Sequence, residues 1–307
     1  MKCIIGLAGA LVLASVTALA GPPAGQRAVF KADVEAVNLA VSISDGQRYV
    51  IDLGQTDFQV YEDGIKQDLA VFSREHTPVS LAILMDVSLS MEPKLEQARE
   101  AAARFVRRLR PQDEAQIVHF NDRVRVAQGF TGDAQLLEQA IRSAQASGGT
   151  ALYTAVYVAL KDLARQRREG EVRRLAIVVL SDGEDTASLV SDEQALGLAR
   201  KSEIGVYGIS LRGAQSAAAE RHESGLSRFF ISALSRETGG EAHFPRAIAQ
   251  LGTVYERVLE ELRSQYSIGY VSNNPRRDGK WRNIVVRLLG RPQLRVRHKP
   301  GYFAPPS

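Results

Sequence analysis

The sequence contains a single cysteine, Cys3, within its first twenty residues. Downstream of that segment, disulfide frameworks, cysteine-ligated metal clusters and thiol catalysis are therefore excluded. An excess of one charge is also missing. Lys and Arg number 39 against 35 Asp and Glu, a formal charge of +4, which is weak support for a nucleic acid or other polyanionic partner. Hydrophobic residues make up 45% and charged residues 24%. That composition suits a globular chain and excludes wholesale disorder, a collagen-like fibre and a polytopic membrane protein. At 307 residues the chain has room for two domains.

Residues 1–20 have the layout of a secretory signal peptide: Lys2, an apolar run Cys3–Val16, and Ala18-Leu19-Ala20 before Gly21. The run is at the short end for a membrane span, which takes about 20 residues. Cys3 comes too early to be a lipoprotein attachment site, which would follow the apolar run. The expectation is export, with the protein periplasmic, envelope-associated or secreted. Cleavage would also remove the cysteine and Lys2, so the mature chain would rest on its apolar core alone.

The remaining chain divides into three parts. Over residues 28–75, Val37, Leu39, Val41 and Ile43 alternate at period two. Phe58–Tyr61, Asp63-Gly64 and Leu69–Phe72 then read as a hairpin. Over residues 77–264 the pattern alternates between strand and helix. Continuous apolar runs at Ser80–Met85 and Leu175–Leu180 suit strands buried on both faces, and Ala115–Phe120, Val124–Gln128 and Val206–Leu211 read as further strands. Helical spacing recurs over 95–109, 133–145, 152–166, 192–202, 226–237 and 246–264. Ser191 and Gln194 make a capping box for the fourth of these. Residues 213–224 read as a surface loop. Residues 265–304 return to β patterning at Tyr266–Val271, Trp281–Leu289 and Leu294–Arg297. The expected fold is α/β: a doubly wound, mostly parallel sheet with a small flanking β unit built from N- and C-terminal strands.

Three loops concentrate the polar chemistry where open α/β sheets place ligands. Asp86-Val87-Ser88-Leu89-Ser90 follows one buried run, Gly148-Gly149-Thr150 precedes a helix, and Ser181-Asp182-Gly183-Glu184-Asp185 follows the other buried run. Only oxygen donors are on offer, which suits a hard divalent cation such as Mg²⁺. Ser88 and Ser90 can turn both hydroxyls to one point, and Asp86 and Asp182 can hold metal-bound waters. Glu184 and Asp185 are expected in solvent, and Thr154 as a helix hydroxyl.

Asp86-x-Ser88-x-Ser90, Thr150 after its glycine pair, and Asp182 in Leu-Ser-Asp-Gly resemble the metal-ion-dependent adhesion site (MIDAS) of von Willebrand factor type A (VWA) domains. Phe58–Gly64, Tyr266–Tyr270 and Pro300-Gly301-Tyr302 further resemble exported VWA-related proteins frequent in Acidobacteria, so the likeness runs over about residues 28–304. The resemblance implies a Rossmann-like domain in which Ser88, Ser90 and Thr150 bind Mg²⁺ directly (Mn²⁺ or Ca²⁺ as alternatives). Asp86 and Asp182 would act mostly through water, and an Asp or Glu of a protein partner would complete the coordination. A largely neutral donor set leaves the ion the positive potential to attract that carboxylate.

Enzymatic alternatives find little footing. The haloacid-dehalogenase pattern wants an acid where Ser88 stands, and Gly208-Ile209-Ser210-Leu211 lacks the second glycine of a nucleophile elbow. His222-Glu223 is followed by Leu226 where a zinc motif needs histidine, and His76, His119, His222, His243 and His298 show no ligand spacing. The glycine pairs 148–149 and 239–240 are too short for phosphate-binding loops. Basic clusters at 104–110 and 165–174 are expected as solvated helix faces, and 287–299 as a strand with one wet face. The chain therefore reads as a non-enzymatic, metal-dependent adhesion or interaction module. The alternative is a structural or assembly component of the envelope whose metal site is dispensable.

Overall fold

The strand β5 (Val79–Asp86) lies inside the largest sheet among the described residues, and all eight of its residues are buried. In a computed structural model that describes residues 36–306 apart from 47, 76, 167–172, 183 and 212–224, β5 lies between β6 (Glu114–Phe120) and β8 (Arg174–Ser181), parallel to both. The expected signal peptide, Cys3, His76, His222 and the 213–224 loop fall outside the described residues. β9 (Gly205–Ser210) and β10 (Ala242–His243) extend the sheet in parallel beyond β8, and β7 (Val124–Thr131) closes the other edge antiparallel. The six strands run in the order β10-β9-β8-β5-β6-β7.

Alternate residues of β5 serve opposite cores. Leu81, Ile83 and Met85 pack with α1 (Leu95–Val106), α2 (Ala134–Arg142) and α6 (Leu251–Ser264). Ala82 and Leu84 pack with α3 (Leu152–Arg165), α4 (Asp192–Lys201) and α5 (Gly225–Thr238). Each large apolar side chain taken fully from water contributes about 1.5–3 kcal/mol, so a strand buried on both faces ties two helix layers to one sheet. Gly208 on β9 permits the close approach of α5: a Cβ there would lie 2.3 Å from Ile231 Cγ2. Ser191 Oγ accepts from Gln194 N at the start of α4, while Gln194 Oε1 accepts from Ser191 N, completing the expected capping box. The helix expected over 246–264 begins later than its apolar spacing suggests, because Ile248–Gln250 forms a separate 3-10 turn before α6.

Strands from both chain ends pair beside this domain, in two four-stranded sheets rather than one. β1 (Ala36–Ser44) pairs with β11 (Tyr266–Val271) and β13 (Arg295–Arg297). β2 (Phe58–Glu62) pairs with β12 (Trp281–Leu288), which also carries β14 (Gly301–Phe303). One apolar core, including Val41, Ile43, Val60, Tyr266 and Ile284, joins the two sheets. The hairpin at Asp63-Gly64 differs from its expected form. Both turn residues have positive φ (48° and 83°), as a tight two-residue turn requires. The strand that returns is therefore β3 (Ile65–Gln67), directly opposite β2. β4 (Leu69–Ser73) leaves for the other sheet, where it pairs with β11.

The basic residues near 173–174 are not a solvated face. Arg174 is buried and donates to the carbonyls of Leu262 and Gln265, which end α6, and to Ser267 Oγ. Arg173 donates to Ser80 Oγ, the Val79 carbonyl and the Gln112 carbonyl. Unpaired carbonyls at helix and strand ends recruit guanidinium groups, whose planar forks satisfy several acceptors at once.

Candidate metal site

β5 and β8 are neighbours whose onward connections leave on opposite sides, so their C-terminal ends form the switch-point crevice typical of ligand sites in open α/β sheets. Asp86 ends β5 and Asp182 follows β8, both buried. Ser88 N donates to Asp86 Oδ1 at 2.9 Å, and Ser181 Oγ donates to Asp86 Oδ2 at 2.5 Å. Burial is the main reason the Asp86 carboxyl is pushed up to about 6. The bonds from Ser181 and Ser88 partly offset it, and nearby Asp182 adds to it.

Ser88 is buried and Ser90 exposed, with their Oγ atoms 3.0 Å apart. Ser90 Oγ donates to Asp182 Oδ1 at 2.7 Å. The second loop docks on the first through Leu89 N to the Gly148 carbonyl and Ser147 N to the Val87 carbonyl. It docks on the third because the Thr150 carbonyl accepts from Thr186 N and Ala187 N, while Thr150 N donates to Thr186 Oγ1. Thr150 is thereby held, buried, between the aspartate loops. The glycines before it have separate reasons: Gly148 has φ +70°, a conformation that favours glycine, and a Cβ on Gly149 would lie 2.8 Å from Thr186 Oγ1, the oxygen that accepts from Thr150 N.

Asp86, Ser88, Ser90 and Asp182 thus form one hydrogen-bonded string, with Thr150 on the adjoining loop. Oxygens at about 2.1 Å from Mg²⁺ in octahedral array stand about 3.0 Å apart along each edge, and the two serine hydroxyls have that spacing. A serine oxygen can also bind a cation through a lone pair while its proton stays on a carboxylate, as Ser90 does toward Asp182. Among the described residues no group of three or more His, Cys, Asp and Glu is placed to hold a metal. The donor set here has two carboxylates, and the rest is hydroxyl.

Four neighbours of the site have roles that were not anticipated. Asp185, expected in solvent, is half-buried and accepts from Tyr153 N (2.9 Å), while Ser188 Oγ accepts from Thr154 N (2.9 Å). These side chains take amides that α3 leaves unpaired at its start, where a negative charge is favoured. Thr154 Oγ1 accepts from Leu189 N. Ser181 is the hydroxyl on Asp86, and Lys94 Nζ donates to Asp182 Oδ2 at 2.5 Å. Lys94 ends a 3-10 turn, Leu89–Lys94, that runs directly into α1, and no local pattern in the sequence marks it.

A cavity of about 500 Å³ opens elsewhere, lined by Arg74, Arg108, Arg110 and Arg263 with Glu256 and Glu260. None of its lining residues belongs to the three loops, and Arg263 donates there to the Arg108 carbonyl just beyond the end of α1.

Residues 81–184 match the family model of the von Willebrand factor type A domain, and the architecture is VWA-like: a mostly parallel central sheet between helices, with flanking antiparallel strands. Three solved structures share this fold. A von Willebrand factor type A protein from Catenulispora acidiphila is 12% identical, with 85% of this chain and 72% of that one covered and a TM-score of 0.52. Proximal thread matrix protein 1 of the mussel byssus, with a zinc-occupied MIDAS motif, is 15% identical over 66% of this chain and 50% of that one, at a TM-score of 0.51. The PilB minor pilin from Streptococcus sanguinis is 13% identical over 62% and 63%, at a TM-score of 0.50. No curated protein matches the chain.

Proposed function

We propose that the chain is an exported, non-enzymatic binding module that captures an acidic side chain of a protein partner through a divalent cation. Ser88, Ser90 and Thr150 would hold the ion directly, with Asp86 and Asp182 acting mainly through water. The observation that carries this reading is the hydroxyl pair 3.0 Å apart at the sheet's switch point, bonded on to Asp182. The cation would supply a positive centre with an open position. The protein's part is to hold the oxygens at that spacing and to keep the donor set poor in charge, so that the ion still attracts an incoming carboxylate. The zinc-occupied MIDAS motif of the mussel thread protein supports a divalent ion in this fold. Mg²⁺ is the first candidate here because all five side chains offer hard oxygen. Export rests on the layout of residues 1–20, and no helix among the described residues is long and apolar enough to cross a membrane.

Calorimetric titration with Mg²⁺ and Mn²⁺ tests the site: the wild type takes up an ion, and Thr150→Ala weakens uptake at least tenfold while keeping the wild-type circular dichroism. Absence of uptake by the wild type would sink the reading. A second reading, an envelope assembly component that does not depend on metal, is favoured by the Lys94–Asp182 pair, which already neutralises one carboxylate. Partner capture from the native envelope fraction that persists in EDTA would select it.

A further inference from the structure

Lys94 places a cation on the cluster of five oxygen-bearing side chains. Its ammonium meets Asp182 Oδ2 at 2.5 Å, and the two side chains are 12% and 2% exposed. The other oxygen of Asp182 accepts from Ser90, so each oxygen of this carboxylate has a partner within the chain. Lys94 ends a 3-10 turn, Leu89–Lys94, that runs directly into α1, so the loop carrying Ser90 also carries the lysine. The attraction that keeps it on Asp182 is the one a divalent ion would need.

We infer that Lys94 is a tethered counter-ion that balances Asp182 while no metal is bound, so that loading proceeds by exchange of the ammonium for the divalent ion and its water. This rests on the metal-site reading above. Two cations on one carboxylate repel each other strongly at such separations, and the repulsion is greater in a partly buried setting than in water. Lysine suits exchange better than arginine would. Its charge is a compact point on a flexible four-carbon stem, and it gives up a single contact rather than a planar fork. In this arrangement Lys94 sets the free-ion concentration at which the site fills, and it preserves the shape of the loops when the ion is gone.

A purely structural ion pair makes the opposite prediction. If Lys94 only positioned Asp182, its removal would loosen the carboxylate and weaken metal uptake. The sign of the change in affinity therefore decides. Under exchange, Lys94→Gln binds Mn²⁺ at least tenfold more tightly than the wild type in calorimetry, whereas Lys94→Arg, which keeps the charge, shows no tightening. In EDTA, Lys94→Gln melts below the wild type, and Mn²⁺ restores more of its melting temperature than it adds to the wild type. An independent measurement needs no variant: acetic anhydride labelling of Lys94, read by mass spectrometry, rises several-fold when Mg²⁺ is added to the wild type. Unchanged or weaker affinity in Lys94→Gln, with the wild type binding, overturns the exchange and leaves the metal site standing, as does labelling unmoved by a saturating ion. No uptake by the wild type or by Lys94→Gln overturns both. A silent wild type beside a binding Lys94→Gln supports exchange, with Lys94 as the block.

Discussion

Buried carboxylates occur in two regions of the molecule, and the contrast lies in what surrounds them. In and beside the flanking sheets, Glu261 accepts from Ser42 Oγ, Tyr49 OH, Tyr207 OH and Arg297 Nη2, and Glu62 accepts from Tyr270 OH, Tyr302 OH and Ser272 Oγ. Each is saturated by donors aimed inward. At the end of the central sheet, Asp86 and Asp182 are equally buried, but among their partners are Ser88 and Ser90, whose oxygens keep lone pairs, and Ser90 reaches the surface. Burial of an acid therefore does not by itself mark a site. The mark is a partner set that can still accept something.

The largest expected effect breaks the closed side of this contrast. Glu261→Gln leaves Arg297 only the longer contact to Glu241 as a charge partner and places an amide donor among hydroxyl donors, at a position with no exposed surface. Removing one member of a buried ion pair costs about 3 kcal/mol or more, which in a domain of this size is a fall of roughly 6–12 °C in melting temperature. Mg²⁺ affinity measured below the melting range should stay unchanged. A loss of metal uptake in this variant would mean that the two regions are coupled.

The open side should respond to pH. The folded-state pKa of Asp86 is raised from 3.8 to about 6, so the folded protein binds this proton more tightly than the unfolded chain. The resulting stabilisation is full below about pH 4 and is lost as pH rises through about 6. In EDTA, lowering the pH from 7 to 5 should therefore stabilise the wild type relative to Asp86→Asn by about 1.4 kcal/mol, read from urea midpoints. His119, which burial lowers to about 4, works in the other direction: its contribution is present above the ordinary histidine pKa and is lost as pH falls. It is common to both proteins and cancels in the difference. Saturating Mg²⁺ should abolish the Asp86 effect, because an ion holds the carboxylate charged. A difference of the opposite sign would show that Asp86 is not desolvated.

What could be read in advance depended on distance along the chain. The apolar run of β5 with Asp86 at its end, the Ser88 and Ser90 spacing, and the Ser191–Gln194 box are local patterns, and the structure has them in place. Lys94 and Asp182 are 88 residues apart, and Ser181 and Asp86 are 95 apart. Neither pair exists until β8 lies beside β5. The basic residues 173–174 misled for a related reason: charge composition says nothing about which helix carbonyls will end beside an arginine. The departure of β4 from the hairpin was hidden by its own alternation, since Leu69–Phe72 suits either sheet and only the two-residue turn decides for β3.

The smallest effect sharpens the contrast most, because it tests whether saturation tolerates loss. Tyr302→Phe removes one of three hydroxyls from Glu62 and leaves Tyr270 at 2.9 Å and Ser272 at 2.6 Å. Burial, reinforced by Glu62, pushes the Tyr302 hydroxyl up to about 12, so it is a neutral donor across the whole working range of pH. With two donors remaining and only part of the tyrosine buried, the cost should be about 1 kcal/mol, the usual net worth of one hydrogen bond, independent of pH between 5 and 8. A loss above about 3 kcal/mol would mean that the three hydroxyls polarise one another and act as a unit. Glu62 would then be a cooperative node, and saturation would cease to mean tolerance of a single loss.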